Sequence, residues 1–150
     1  MERARRARLS CNSDEITPIR GLFWYDRGMK IEELGFLDEM EGEMREEVLE
    51  YVRGERKEFS MVPEVSGTEF QRAVLEAMMR IPRGEVRSYG EVASMAGYPR
   101  ASRAVGSVCR GNKYPIIIPC HRVVGSGGIG GYAFGLEMKR ELLRQEGVIY

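Results

Sequence analysis

Residues 116–124 of this chain read IIIPCHRVV, and this stretch decides how the rest of the sequence is interpreted. The three isoleucines predict a short buried strand, and a turn at the proline then presents a cysteine beside a histidine. Cys120 is followed by His121, the only histidine of the chain, and then by Arg122. A free thiol with a pKa of about 8.5 is only a few per cent ionised at pH 7, and imidazole and guanidinium neighbours favour the thiolate. A buried structural cysteine followed by a surface histidine has the same pattern, so the rest of the chain must decide between the two.

The composition is that of a soluble chain of 150 residues with a sizeable core. Cys11, Cys109 and Cys120 form no C-x-x-C pair and cannot all be joined within the chain, which indicates a reducing compartment. No apolar stretch approaches the roughly 20 residues of a membrane span. The Arg-rich start is not followed by the apolar core of a signal peptide, because Pro18 and Arg20 interrupt residues 16–25. We therefore predict a cytoplasmic protein that does not enter a membrane.

The net charge is zero, but the charge is divided along the chain. Residues 26–58 contain twelve acidic and six basic side chains, whereas residues 80–125 contain eight basic and two acidic ones. The basic part could meet phosphate groups. An internal interface between the acidic and the basic part would explain the same division, and the sequence leaves both interpretations open.

The first part of the chain predicts a small α/β appendage. Residues 1–15 are polar and typical of a disordered tail, and residues 16–25 and 29–37 carry β-type apolar clusters that predict a hairpin. Apolar residues at helical spacing predict an acidic amphipathic helix over residues 39–53. Residues 54–66 have the composition of a linker. A short N-terminal domain with its linker is therefore predicted for residues 1–65.

The second part, residues 66–150, predicts a mainly helical domain. Capping-box patterns begin helices at Thr68 and Ser88, and the second of these helices ends at Gly97. A third helix over about residues 101–110 follows after a tight turn and completes a helix-turn-helix. The last helix covers about residues 136–146. Together with the short strand leading into Cys120, these elements predict an α+β fold.

The third helix of this domain carries a polar, basic face. Arg100, Arg103, Ser107 and Arg110 recur at helical spacing opposite the apolar positions. A solvated basic face is the simpler explanation, but the preceding capped helix and tight turn favour contact with DNA.

No cofactor or metal site is predicted. Residues 125–130, GSGGIG, match the pattern of a dinucleotide-binding loop, but they lead into GYAFG rather than directly into a helix. We expect a loop that carries two aromatic side chains, and neither a cofactor nor a metal.

Several short motifs occur in a fixed order between residues 66 and 148, and together they resemble the O6-alkylguanine-DNA alkyltransferases, also called methylated-DNA–protein-cysteine methyltransferases. The central motif is PCHRV at residues 119–123. The others are SY at 88–89, SRAVG at 102–106, GN at 111–112, GY at 131–132 and LLRQEG at 142–147.

The resemblance implies irreversible repair of O6-alkylguanine in double-stranded DNA, once per protein molecule. A helix-turn-helix would bind through the minor groove, and the damaged base would be flipped into a pocket. Cys120 would accept the alkyl group, and His121 and Glu146 would activate it through a bound water. Whether O4-alkylthymine is a second substrate stays open. The protein would act as a monomer without a cofactor.

Further residues take roles from the same resemblance. Arg103 would fill the space left by the flipped base, Tyr89 would hydrogen-bond the guanine, and Asn112 would brace the turn before the active-site strand. The carbonyl oxygens of Cys120 and Val123 would bind the guanine amino group. The predicted substrate residues are Tyr89, Val123, Tyr132, Ala133 and Phe134, and the predicted DNA-binding residues are Arg100, Arg103, Ser107, Arg110, Asn112 and Arg122.

The chain departs from the family pattern at three places. Lys113 stands where proline is usual, and Ala133 and Phe134 stand where some members have Ser-Gly, so we expect a narrower pocket. The N-terminal domain is short and lacks the zinc-binding residues of some relatives.

Three other functions compete with alkyl transfer. A non-catalytic module that binds alkylated DNA is the main alternative, but such proteins lack the acceptor cysteine. A cysteine hydrolase would take its base from a distant part of the chain, whereas the only histidine here adjoins Cys120. A plain helix-turn-helix regulator would not need the Cys-His site.

Overall fold

The computed structural model describes residues 36–37, 40 and 42–150, and this part of the chain combines helices with a small parallel sheet. The predicted tail over residues 1–15 and most of the predicted hairpin lie outside the described residues. The mixture of helices and strands confirms the α+β class. The elements are α1 (Gly42–Val52), α2 (Glu69–Met79), β1 (Arg87–Ser88), α3 (Tyr89–Met95), α4 (Ser102–Arg110), a 3₁₀ helix (Cys120–Arg122), β2 (Val123–Val124) and α5 (Leu136–Gln145).

The helix starts follow the local sequence signals. Thr68 caps α2 by accepting from the Gln71 backbone N–H at 3.1 Å, and the Gln71 side chain accepts from the Thr68 N–H at 2.9 Å. This reciprocal pair is the predicted capping box. Ser88 caps α3 by accepting from the Glu91 N–H at 3.1 Å. The predicted end of α3 at Gly97 is confirmed, and this glycine has a φ of 89° that other residues rarely adopt.

The predicted strand over the three isoleucines is wrong. Residues 116–118 form a turn in which the Ile118 N–H donates to the Tyr114 carbonyl at 2.9 Å, and Ile116 has a φ of 77°. A straight strand would place Ile116 and Ile118 on the same face. The turn instead buries Ile116 and Ile117 in one apolar cluster and Ile118 in another. Burial in two separate cores therefore overrides the β-propensity of isoleucine.

Within the IIIPCHRVV segment, the strand lies after the cysteine rather than before it. β1 and β2 are parallel, with Arg87 paired to Val123 and Ser88 paired to Val124. Because β1 directly precedes α3, this pairing ties the start of α3 to the residues that follow Cys120. The sheet thereby places the α3–α4 pair and the IIIPCHRVV segment side by side.

Helix α1 shares a core with the end of the chain. Val48 and Val52 of α1 belong to the same buried cluster as Met138 and Leu142 of α5. The segment predicted as a linker is also attached to α1, because the Ser60 N–H donates to the Glu47 carboxylate at 3.0 Å. Among the residues that the structure describes, no helix is long and apolar enough to cross a membrane.

Candidate active site

Cys120 begins the 3₁₀ helix and is almost fully buried at the wall of a cavity. Its backbone N–H donates to the Ile118 carbonyl at 2.8 Å, which closes the turn that sequence analysis assigned to the proline. Burial raises the pKa of the thiol, while Asn112, Lys139 and Tyr132 favour the thiolate. The resting protein therefore holds a neutral thiol, and a base is needed to remove its proton.

His121 follows Cys120 in the chain, and its side chain is fully buried. Its Nε2 atom is 2.9 Å from Oε2 of Glu146, the first residue after α5. Burial lowers the pKa of the imidazole, against the influence of Glu146. Because an ionised carboxylate only accepts hydrogen bonds, Nε2 carries the proton and Nδ1 carries the lone pair. Nδ1 has no hydrogen-bond partner among the described residues, so it is available as a base.

Glu146 is ionised because several donors surround it. Burial alone would raise the pKa of its carboxyl, but the charges and hydrogen bonds of His121 and Arg122 hold that pKa far below its usual range. Arg122 donates through Nε to Oε1 at 2.9 Å and through Nη2 to Oε2 at 2.8 Å. Tyr51 of α1 donates to the same Oε2. Glu146 thus lies within hydrogen-bonding distance of His121.

The prediction that Arg122 binds DNA is wrong. Its guanidinium is buried, and besides the two bonds to Glu146 it donates from Nη1 to the Ile81 carbonyl at 2.7 Å. These internal acceptors satisfy the charge, so the group faces the core rather than a phosphate. Arg122 orients the carboxylate of Glu146, and its position in sequence beside Cys120 could not show this.

The cavity beside Cys120 has a volume of about 660 Å³ and combines pocket and helix residues. Of the predicted substrate residues, three line the cavity: Tyr89, Tyr132 and Ala133. Helix α4 forms the other wall with the predicted DNA-binding residues Arg103, Ser107 and Arg110. The structure also places Ser102, Gly106, Cys109 and Gly131 at this cavity.

Other predicted residues lie elsewhere. Phe134 packs against the apolar cluster that α1 shares with α5, and its ring centroid is 4.8 Å from that of Phe36. It does not line the cavity and therefore does not narrow it as predicted. Asn112 is buried, and its side chain braces the turn by donating to the Ile118 carbonyl at 2.9 Å. Arg100 is exposed before α4 but does not line the cavity.

Lys139 is a residue that sequence reasoning missed. It is fully buried on α5, and its Nζ donates to the carbonyls of Val123, Ile129 and Gly131 at 2.6, 2.7 and 2.8 Å. The Val123 carbonyl predicted to bind guanine is therefore already held by an ammonium. A sequence signal did exist, because Lys139 shares the helical stripe of Leu142 and Glu146. No comparable signal in the sequence marks Tyr51, because nothing distinguishes it from the other residues that flank the apolar stripe of α1.

The described residues contain no group of three or more His, Cys, Asp or Glu side chains that could hold a metal ion. Two thiols, Cys109 and Cys120, lie free in this part of the chain. Of the two, Cys120 is the one that His121 follows in the chain.

Three comparisons place this site among known proteins. Residues 69–148 match the family model described as 6-O-methylguanine DNA methyltransferase, DNA binding domain. A methylated-DNA–protein-cysteine methyltransferase of Methanosarcina acetivorans is 50% identical over 98 residues, which are 65% of this chain and 63% of that protein. The constitutive enzyme of Bacillus subtilis is 44% identical over 110 residues, 72% of this chain and 67% of that protein.

Solved structures give the same result. The Mycobacterium tuberculosis OGT in complex with DNA has a TM-score of 0.63 at 45% identity, over 67% of this chain and 62% of that one. The O6-methylguanine-DNA methyltransferase of Pyrococcus kodakaraensis has a TM-score of 0.64 at 34% identity, over 83% and 82%. The chain thus spans about three fifths of the length of several relatives it matches. By the extent of these matches, the chain belongs to the 6-O-methylguanine DNA methyltransferase family.

Proposed function

We propose that this protein repairs O6-alkylguanine in double-stranded DNA by transferring the alkyl group to its own Cys120. One observation carries the proposal: a free cysteine at a cavity wall adjoins a buried histidine whose Nε2 is 2.9 Å from a carboxylate. Relatives in the family are named methylated-DNA–protein-cysteine methyltransferases, which supports the same reaction.

The reaction needs a nucleophile and a base. Nδ1 of His121 accepts the thiol proton, directly or through one water, and Glu146 stabilises the imidazolium that results. The sulfur then attacks the alkyl carbon, so that an S–C bond forms while the bond from carbon to O6 breaks. The electron pair of that bond stays on O6, and the guanine takes up a proton. A thioether does not release the alkyl group, so each molecule acts once.

DNA binding is assigned to α3 and α4, which we propose form a helix-turn-helix at the minor groove. The exposed side chains Arg103, Ser107 and Arg110 of α4 border the cavity, which supports a common surface for duplex and flipped base. Extrusion of a base costs a few kcal/mol, and Arg103 would offset part of it by filling the gap. Tyr89 and Tyr132 line the cavity and would contact the flipped base.

The wider organisation is also proposed. Residues 1–65 would form the short N-terminal domain and residues 66–150 the alkyltransferase domain. The free thiols support a reducing, cytoplasmic setting. The protein would act as a monomer, because one chain supplies the cysteine, its base and the basic helix.

The test is to incubate the protein with an O6-methylguanine duplex and to weigh the tryptic peptide of residues 114–122. We expect one methyl group on Cys120 and at most one repaired lesion per molecule. Cys120→Ser should bind the duplex without transfer, whereas Cys109→Ser, the matched thiol control at the same cavity, should still be methylated. Binding by the wild type without methylation would favour the non-catalytic module, and multiple turnover would exclude the proposed mechanism.

A further inference from the structure

We propose that Tyr51 of the N-terminal helix α1 is a positioning residue for the active site, acting through Glu146. This inference rests on the proposed function, because it concerns the activation of Cys120. It assigns a role in the chemistry to a part of the chain that the family model, which matches residues 69–148, does not include.

The contact is made in the interior of the protein. Tyr51 is fully buried, and its hydroxyl donates to Oε2 of Glu146, the oxygen that His121 Nε2 also approaches. The same hydroxyl oxygen accepts from Nη2 of Arg122 at 3.3 Å. Tyr51 is therefore joined both to the carboxylate and to the guanidinium that orients it.

The position of Tyr51 is itself fixed by neighbouring groups. Its backbone carbonyl accepts from Nε2 of Gln145 at 2.6 Å, and Gln145 immediately precedes Glu146. Its ring stacks on Phe59 with a centroid distance of 5.0 Å. Backbone and side chain of one α1 residue thus contact two successive residues at the end of α5.

The Tyr51 hydroxyl affects how strongly the Glu146 carboxylate stabilises a positive charge on His121. A hydrogen bond from Tyr51 draws negative charge away from Oε2 and fixes its direction, so Glu146 stabilises the imidazolium less strongly than an isolated carboxylate would. Burial raises the pKa of the Tyr51 hydroxyl, and so does the charge of Glu146, which keeps it a donor over the working pH range. The charged groups that face His121 are Glu146, Arg122 and Lys139, and among them the hydroxyl acts on Glu146 and Arg122.

The experiment compares Tyr51→Phe with the wild type in single-turnover methyl transfer as a function of pH. Without the hydroxyl, Glu146 stabilises the imidazolium more strongly, so the pKa of His121 and the midpoint of the acid limb should rise by about half a unit. The rate should fall about threefold on the acid side of the midpoint and stay unchanged on the alkaline plateau. Tyr150→Phe, an exposed tyrosine change, should leave the profile unaltered.

A double-mutant cycle separates positioning from packing. In the Glu146→Gln background, Tyr51→Phe should produce no further shift of the midpoint, because the carboxylate through which it acts is gone. An equal loss of rate at every pH, or an equal shift in both backgrounds, would overturn the proposal.

A measurement on the unmodified protein completes the test if Tyr51→Phe does not fold. His121 is the only histidine, so its ring signals are identified directly by nuclear magnetic resonance. The Tyr51 hydroxyl proton and the His121 Hε2 proton point at one oxygen and should show a cross-relaxation peak. Absence of this peak would overturn the contact. A wild type that leaves Cys120 unmethylated would instead refute the proposed function, and the peak would still report on the contact.

Discussion

At the scale of single residues, the chemistry depends on which atoms carry protons around Cys120. The thiol is neutral at rest, Nε2 of His121 carries a proton toward Glu146, and Nδ1 is left as the base. A deeply lowered thiol pKa would give little advantage, because nucleophilicity falls as the pKa falls. In the proposed mechanism the thiolate instead forms at neutral pH when His121 accepts the thiol proton, and it stays strongly basic.

Replacing Glu146 tests this arrangement. Glu146→Gln removes the charge that stabilises the imidazolium, so we expect methyl transfer at pH 7 to slow at least about tenfold. Raising the pH should recover part of the loss, since solvent then removes the thiol proton. Single-turnover rates at neutral and alkaline pH, with the fold checked by circular dichroism, measure this. A near-normal rate in a folded variant would remove Glu146 from the mechanism.

The structure changes what is expected of Phe134, which the sequence had suggested would narrow the pocket. Because its ring packs on Phe36 and Tyr132 outside the cavity, Phe134→Ala should cost about 1–2 kcal/mol of unfolding free energy. Inactivation by O6-benzylguanine should stay as in the wild type. Denaturant unfolding and an inactivation time course measure the two effects. A gain in sensitivity to O6-benzylguanine would mean that Phe134 does restrict the pocket.

At the scale of elements, α4 and α5 contribute to the same cavity in different ways. Helix α4 exposes Arg103 at the cavity edge, whereas α5 buries Lys139 against the loop that forms the far wall. Replacing one residue on each helix should therefore affect different steps.

Arg103→Ala should slow repair of duplex DNA far more than reaction with free O6-benzylguanine. The free base needs no extrusion, so it does not need a side chain to fill the gap. Parallel rate measurements on the two substrates distinguish the effects, with Arg72→Ala on the exposed surface of α2 as control. Equal losses on both substrates would show that Arg103 does not assist base flipping.

Lys139→Met should loosen the loop of residues 125–131. The change leaves three carbonyls without their ammonium donor and should cost at least about 2 kcal/mol of unfolding free energy. Burial lowers the pKa of Lys139 to about 8, so the ammonium is still the main form at pH 7. Hydrogen exchange over the loop should accelerate, and Arg140→Met on the exposed side of α5 should leave it unchanged. Unaltered exchange in Lys139→Met would contradict the role of this clamp.

At the scale of the whole molecule, the single buried histidine links stability to pH. Because the folded protein lowers the pKa of His121, the unfolded chain binds more protons as the pH falls through about 6.5. Stability should therefore decrease as the pH falls below about 6.5, by up to about 1.4 kcal/mol per pH unit. Denaturant unfolding at several pH values measures this slope, which His121→Asn should abolish. A flat wild-type profile would mean that folding leaves the pKa of His121 unchanged.

Much of the local structure could be predicted from the sequence because its causes are local. Thr68 and Gln71 cap α2 across one helical turn, and Gly97 ends α3 because it accepts a positive φ. The approach of Glu146 to His121 was also expected, from a family motif and from the position of Glu146 at the end of the last helix. The order and spacing of the motifs were sufficient to identify the family and to single out Cys120 among the cysteines.

Only the tertiary structure decided which side chains meet at the site. Arg122 lies two residues after Cys120 in the sequence yet binds Glu146, because a buried carboxylate needs a charged partner. Ile116 and Ile118 enter different cores, which turns a predicted strand into a bend. Tyr51 reaches Glu146 from 95 positions away, and no local pattern records such a contact. The sequence by itself therefore determined the helices and the family, whereas long-range burial determined the partners of each charge.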